Sequence, residues 1–152
     1  MDLEARLKEM QLALPQPPKA LGAYIPARRE GQLVYTSGTL PIDGAGRVQT
    51  GRLGDDLDIA AGQAAAKLAA LNALANTLGV LDSLNQIDHI VRLVGFVQAT
   101  ADFTEHAQVL NGASEFFLSL MGDRGRHARS AVGVASLPKG AAVELELWVA
   151  TS

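Results

Sequence analysis

Near its C-terminus the chain reads Val143-Glu144-Leu145-Glu146-Leu147-Trp148-Val149, in which every second residue is a branched aliphatic one. Successive side chains of a β-strand point to opposite faces, so this pattern predicts a strand with one wholly apolar face. If helices cover that face, the face with Glu144, Glu146 and Trp148 is left to water or to another subunit. A tryptophan beside carboxylates indicates a subunit interface with a polar pocket, and a solvated sheet face fits the pattern equally well.

The segments upstream of this strand supply the other layers of one domain. Residues rich in β-branched side chains predict strands at 89–98 and 130–136, and the last strand covers 142–150 after a Leu-Pro-Lys-Gly turn. Two helices are expected at 57–78 and 103–121, each ended by a glycine. Asp55 or Asp56 is expected to cap the first of them, whose apolar face is predicted to comprise Leu57, Ala61, Ala64, Leu68, Leu71, Ala75 and Leu78.

The N-terminal part combines a short helix with a hairpin. Apolar residues at steps of three and four predict an amphipathic helix that ends before the prolines at 15–18; they are Leu3, Leu7, Met10 and Leu14. Residues 23–27 and 32–40 predict two strands joined by a turn at 28–31. We therefore expect a helix and proline linker over 1–17 and a single domain over 18–152. The fold class is α+β, with the order β-β-α-β-α-β-β and two helices on one face of a mixed sheet.

Composition narrows the classes of function. The 152 residues are 48% hydrophobic, which is enough for one substantial core. The absence of cysteine excludes disulfides, thiolate metal sites and a cysteine nucleophile, and it fits a reducing compartment, so we expect a cytoplasmic protein. The sequence has no run of about 18 apolar residues, so it predicts no membrane span. A net charge of −3 with dispersed basic residues argues against a nucleic-acid partner and favours a small molecule.

Common catalytic motifs are absent from the sequence, which has no Walker loop, dinucleotide fingerprint or His-Glu-x-x-His. The three histidines, His89, His106 and His127, lack metal-ligand spacing, and each is expected to be structural or exposed. Ser37 lacks the surroundings of a serine nucleophile. One basic cluster, at residues 124–130, lies immediately before a predicted strand. Its arginines can grip a carboxylate through two parallel hydrogen bonds, although a solvated basic loop explains the same pattern.

Several motifs together make the chain resemble the RidA family, also called YjgF, which has a chorismate-mutase-like fold of the bacillus type and was formerly described as endoribonuclease L-PSP. The strongest is the C-terminal Arg-Ser, Leu-Pro and acidic-strand signature at residues 129–146. Three further pieces agree in order and spacing: Gly22-Ala23-Tyr24, then Tyr35-Thr36-Ser37-Gly38 with Leu40-Pro41, then Asn111 with Glu115 and Phe117. The resemblance covers nearly everything from about Pro18 onward.

The resemblance implies a homotrimer with three ligand sites in the clefts between subunits. It implies hydrolysis of 2-aminoacrylate or its imine tautomer to a 2-keto acid and ammonia, with no cofactor or metal. Arg129 would bind the substrate carboxylate, Glu144 would orient or deprotonate the water with help from the Ala131 carbonyl, and Tyr24 would position water or transfer a proton. Residues that would shape the pocket are Ser37, Gly38 and Asn111.

Two positions depart from the family pattern. Gly133 stands where many relatives have an acidic residue, and Thr39 stands where glutamine is common. Both leave the reaction type intact, because Arg129 and Glu144 are kept, but they bear on substrate range. Two other functions stay open: a trimer that binds a keto acid without turnover, and an RNA-cleaving enzyme, which an acidic chain disfavours.

Overall fold

The computed structural model describes residues 1–17 and 22–152, so the predicted domain start at Pro18 lies outside the described residues. Its helices are α1 (Leu3–Glu9), α2 (Ile59–Leu78) and α3 (His106–Met121), and its strands are β1 (Ala27–Glu30), β2 (Leu33–Thr36), β3 (Ile87–Gln98), β4 (Ala128–Val134) and β5 (Val143–Thr151). The strands form one sheet in the order β1-β2-β5-β3-β4. Strands β3 and β4 are parallel and the other neighbours antiparallel, which confirms the predicted mixed sheet and element order.

Strand β5 lies at the centre of the sheet and has the two faces that its sequence predicts. Val143, Leu145, Leu147 and Val149 are all fully buried in the core. Helices α2 and α3 pack against each other and cover this face. The other face carries Glu144, Glu146 and Trp148, which are half-buried, and the Trp148 ring meets the Tyr35 ring edge-on at 5.3 Å between centroids.

The first hairpin differs from the sequence prediction. Its first strand is Ala27–Glu30 rather than residues 23–27, and the predicted turn at 28–31 lies mostly within it. Glu30 pairs with Leu33, which leaves a two-residue turn with Gly31 at a φ of 60°. The charged residues that suggested a turn are exposed on an edge strand, where charged side chains are common. The second strand ends at Thr36 rather than at residue 40.

Helix α2 begins later and buries a different face than predicted. Its N-cap is Asp58, whose carboxylate accepts from the Ala61 N–H, while Asp56 instead accepts from the Arg52 N–H in the preceding loop. Ala61 and Ala64 of the predicted face are exposed. The buried stripe contains the smaller residues, among them Gly62, Ala65, Ala66, Ala69, Ala70 and Ala73. Small side chains let the helix backbone approach α3 and the sheet closely, so size decided the buried face more than the spacing of leucines did.

Helix α1 packs directly on the rest of the fold. Leu3 and Leu7 are buried in the common core. The Glu4 carboxylate accepts hydrogen bonds from the Ser83 hydroxyl at 2.8 Å and the Leu84 N–H at 3.2 Å. Helix α1 ends at Glu9, five residues before the predicted end at Leu14. Outside the first hairpin, the boundaries of the remaining elements shift by up to three residues, as at α3, which begins at His106 rather than at residue 103. Among the described helices, none is long and apolar enough to cross a membrane.

Candidate active site

Arg129 lies within β4, which begins two residues earlier than predicted. This strand forms an edge of the sheet. The Arg129 side chain points to the helix-covered side, where Nη1 donates to Asn111 Oδ1 at 2.9 Å and to Ser114 Oγ at 3.1 Å. Both Nη1 hydrogens are thereby used. Among the described residues, Nε and Nη2 have no hydrogen-bond partner, so the side of the guanidinium that can bind a carboxylate through two parallel bonds is available.

A cavity of about 270 Å³ opens beside the Arg129 guanidinium. Its lining includes Asn111, Ser114, Glu115, Leu118, Arg126 and His127. We call Arg129, Asn111, Ser114 and His127 the Arg129 half-site. A carboxylate bound there would meet a cation whose orientation is fixed by two side chains of α3.

Glu144 lies on the other face of the sheet, beside Gly38. A Cβ built on Gly38 would overlap the Glu144 Oε1 and lie 2.9 Å from its Cδ, so only glycine leaves room for this carboxylate. Burial, followed by repulsion from Glu146, raises the pKa of Glu144 above that of an ordinary carboxyl. A carboxylate with a raised pKa is a stronger base, which suits it to take a proton from water.

A β-bulge brings Gly38 to this position. Tyr35 pairs with Trp148, and Thr39 pairs with Leu145. Between these two pairs, the first chain segment has three residues and β5 has only two, so the first segment carries one extra residue. The Thr36 hydroxyl fills the gap by accepting from the Leu147 N–H at 2.9 Å. The extra residue turns the chain so that the Gly38 Cα faces Glu144.

Ser37, Gly38 and Glu144 form what we call the Glu144 half-site. The Ser37 hydroxyl donates to the Ile25 carbonyl, and its N–H donates to the Pro26 carbonyl at 2.8 Å. Ser37 therefore holds the segment that carries Tyr24. The Tyr24 side chain is 61% exposed and makes no hydrogen bond to another described residue.

The two departures from the family pattern have structural explanations. Thr39 is buried, donates to the Ser37 carbonyl at 3.0 Å and accepts from Asn76 Nδ2 at 3.1 Å, so it fixes the bulge from inside the fold. At Gly133 an added Cβ would overlap the His106 ring and lie 3.0 Å from its Cδ2. The imidazole of His106 thus occupies the space beside β4 that a larger side chain at position 133 would need.

A single chain keeps the two half-sites apart. Arg129 pairs with Leu93 of β3, which faces the helices, whereas Glu144 pairs with Phe96, which points to the other face. Strand β3 lies between β4 and β5, so their backbones are about 10 Å apart. Arg129 and Glu144 therefore cannot contact one small substrate within one chain.

The backbone at Ala131 faces outward from the sheet. The Val134 carbonyl accepts from the Ala99 N–H at 3.1 Å, at the end of β3. Alternate residues of a strand present their main-chain groups to opposite sides, so the Ala131 carbonyl points to the free edge of β4. It lies two residues from Arg129 and is open to a ligand or a second chain on that edge.

Ser114 and His127 were not assigned to the candidate site from the sequence. Ser114 follows Asn111 by three residues, so both lie on the same face of α3, and this spacing was the available signal. His127 was expected to be structural or exposed. The structure shows it half-buried, bonded to Ser114 and to the Gly125 carbonyl.

The fold and these half-sites define a class: a small α+β domain with two helices on one face of a mixed sheet and, on its edge strand, an arginine held by two side chains of a helix. A family model described as "YjgF/chorismate mutase-like, putative endoribonuclease" matches residues 4–148. The chain belongs to this YjgF/chorismate mutase-like family, as its motifs predict. The match begins within α1, so it reaches further toward the N-terminus than the motifs indicate.

Individual relatives agree with the family model. Protein TCP17 of Trypanosoma cruzi is 40% identical over 95% of this chain and 91% of that protein. A 2-iminobutanoate/2-iminopropanoate deaminase of Salmonella typhimurium is 30% identical over 89% of this chain and 92% of its own length. The crystal structure of the Agrobacterium tumefaciens protein Atu1372, of unknown function, matches with a TM-score of 0.89 and 41% identity, covering 98% of this chain and 91% of that one.

Proposed function

We propose that the protein hydrolyses small 2-imino acids, or their enamine tautomers, to 2-keto acids and ammonia. The observation that carries this proposal is the guanidinium of Arg129, which lines a cavity and is held through Nη1 by Asn111 and Ser114, while Nε and Nη2 have no partner among the described residues. The Salmonella typhimurium relative named as an imine deaminase supports the choice of reaction.

In this mechanism Arg129 binds the carboxylate of the imino acid through Nε and Nη2. Two parallel bonds fix both the position and the plane of the carboxylate, which places the adjacent imine carbon for attack. Lysine at this position would keep the charge but lose that plane. The outward carbonyl of Ala131, two residues further along the strand, accepts a hydrogen bond from the nitrogen or the water.

Glu144 is the base. Its carboxylate takes one proton from water while the water oxygen bonds to the imine carbon and the C=N electrons move to nitrogen, and Glu144 then passes that proton to nitrogen to give the neutral carbinolamine. Glu144 next transfers the hydroxyl proton of the carbinolamine to its amino group. The C–N bond breaks with its electrons going to nitrogen, the C=O bond forms, and ammonia leaves the keto acid. In this mechanism Tyr24 holds the water, and Ser37 supports the Tyr24 segment through its bond to the Ile25 carbonyl.

The separation of the half-sites leads us to propose that each active site joins two chains, with Arg129 from one and Glu144 from its neighbour. The free edge of β4 and the half-buried face with Glu144 and Trp148 are the surfaces that would meet. A cyclic homotrimer supplies three such junctions, each identical by symmetry. Sedimentation should therefore give three times the mass of one chain, and a stable monomer would contradict the two-chain site.

The test is a comparison of rates of imine decay. An amino-acid oxidase acting on alanine generates 2-iminopropanoate, and pyruvate release is followed without protein, with the native protein and with Arg129→Ala. Arg47→Ala is the matched control, because Arg47 is an exposed loop arginine whose only ion pair, among described residues, is with Asp43. We expect acceleration by the native protein and the control and none by Arg129→Ala. Native protein that is trimeric but leaves the decay of this and bulkier imines unchanged would refute the proposal.

A second candidate is binding of a keto acid without turnover. The specific observation in its favour is that one chain supplies the whole Arg129 half-site, whereas Glu144 of the same chain lies on the other face of the sheet. Pyruvate binding with no acceleration of imine decay would establish this alternative. Ribonuclease activity would instead require RNA binding that weakens steeply with salt, which the net charge of −3 disfavours.

A further inference from the structure

A chain of three hydrogen bonds connects the backbone before β4 to Arg129. His127 Nδ1 lies 2.7 Å from the Gly125 carbonyl oxygen, His127 Nε2 lies 2.9 Å from Ser114 Oγ, and Ser114 Oγ lies 3.1 Å from Arg129 Nη1. The imidazole is also held by the Phe117 ring, edge-on at 6.0 Å between centroids. All of these hydrogen-bonded residues line the cavity beside Arg129, and the bond to Arg129 uses only Nη1, so Nε and Nη2 keep no partner among the described residues.

The direction of each bond follows from the chemistry of its ends. A carbonyl oxygen only accepts, so the His127 proton is on Nδ1 and points to Gly125. Nε2 is then unprotonated and accepts the Ser114 hydroxyl proton. With that proton committed, a Ser114 lone pair is free for Arg129, which only donates. Reversing the tautomer would put an N–H against Ser114 and leave the Gly125 carbonyl facing a lone pair.

We infer that His127 and Ser114 are positioning residues: His127 sets the direction of the Ser114 hydroxyl, and Ser114 with Asn111 holds the Arg129 guanidinium in the plane that receives a carboxylate. This inference rests on the proposed function, since it explains how the arginine of that site is oriented. Asn111 and Ser114 take one Nη1 hydrogen each, and losing either would let the guanidinium rotate about its long side chain.

The surroundings of His127 favour its neutral form. Burial, and then the charge of Arg129, lower the pKa of His127, and the bond to the Gly125 carbonyl only partly opposes them. The other charged groups around the cavity are Glu115 on α3 and Arg126, which is paired with Asp123 at 3.0 Å. A carboxylate bound to Arg129 offsets the charge of Arg129. Pyruvate should therefore raise the pKa of His127.

The first part of the test needs no ligand. Nitrogen-15 NMR of the three imidazoles, with the His127 signals assigned by their loss in His127→Gln, should show a proton on Nδ1 and none on Nε2 at neutral pH. The Arg129 guanidinium signals, assigned with Arg129→Lys, should show restricted rotation in the native protein and faster rotation in Ser114→Ala. A proton on Nε2, or unchanged rotation in Ser114→Ala, overturns the inference.

The second part measures pyruvate binding. Loss of a hydrogen bond to a charged group is worth about tenfold in affinity, so Ser114→Ala should raise the pyruvate Kd by roughly tenfold. Ser114→Thr, which keeps the hydroxyl, should restore it. Equal affinities in the native protein and Ser114→Ala overturn the inference but leave the proposed function standing. Native protein that binds no pyruvate overturns the carboxylate grip itself, and the ligand-free NMR result then decides the positioning inference separately.

Discussion

Replacing Gly38 by alanine tests the geometry of the Glu144 half-site with a single methyl group. The added Cβ would lie 2.9 Å from Glu144 Cδ and 3.3 Å from Cγ. Carbon atoms in contact are normally about 3.5–4.0 Å apart, so the carboxylate must move by roughly 1 Å. The backbone at Gly38 is not in the left-handed region, so alanine fits its conformation without strain. The displaced group is the end of a flexible, half-buried side chain, which gives way before the sheet does.

A displacement of this size at a catalytic group costs about a hundredfold in rate, or about 2.7 kcal/mol of transition-state stabilisation. We therefore expect Gly38→Ala to lower kcat/KM for 2-iminopropanoate by about a hundredfold. The free energy of unfolding should change by less than about 1 kcal/mol, since alanine also restricts the unfolded chain. Both quantities are measurable on one preparation, by pyruvate release and by urea titration.

The matched control is Gly44→Ala, because an added Cβ there meets nothing within 4 Å and the backbone is again free of left-handed strain. This variant should keep native kcat/KM. If Gly38→Ala is folded, trimeric and as active as Gly44→Ala, then Glu144 is not the base or does not act from this position.

Three further changes test other parts of the structure. Glu146→Gln removes a negative charge that raises the pKa of Glu144, so the pKa of Glu144 should fall. Because Glu144 acts in its ionised form, the acidic limb of the pH profile of kcat/KM should then move to lower pH. A limb that does not move would show that Glu144 is not the group that titrates there. Gly95→Ala would place a Cβ 2.8 Å from Leu110 Cγ in the core, so urea titration should show a loss of about 1–3 kcal/mol, and an unchanged midpoint would contradict this packing. Leu3→Ala removes a fully buried side chain of α1 and should lower the free energy of unfolding in urea by about 2–5 kcal/mol. A free energy of unfolding that hardly changes would contradict the packing of α1 on the core.

Much of the fold was predictable because the buried face of a strand or helix requires apolar residues at a regular spacing in the sequence. The alternation in β5 predicts both its buried face and the face that carries Glu144, since a one-residue slip would expose four aliphatic side chains. The α2 cap was less predictable. Several aspartates precede that helix within a few residues, and only the path of the loop decides that Asp58 caps it while Asp56 binds the Arg52 N–H.

The sequence indicated several residues of the candidate site but not Ser114 or His127, and the arrangement of the site was not predictable from it. Arg129 and Glu144 follow from family motifs, yet their placement on opposite faces depends on how β3 separates β4 from β5. The bulge that aims Gly38 at Glu144 leaves no signal in a local pattern, because it is defined by pairing with a distant strand. His127 likewise gains its role from a serine thirteen positions earlier, on another element.

Mixing two inactive variants tests most directly whether each site joins Arg129 of one chain to Glu144 of another. Arg129→Ala and Glu144→Gln chains, each inactive alone, would be co-expressed and the mixed trimers assayed for hydrolysis of 2-iminopropanoate. At equal proportions about one quarter of the junctions would contain an intact Arg129 and an intact Glu144 from different chains. We expect about a quarter of native activity; a mixture as inactive as its two components would contradict the two-chain site.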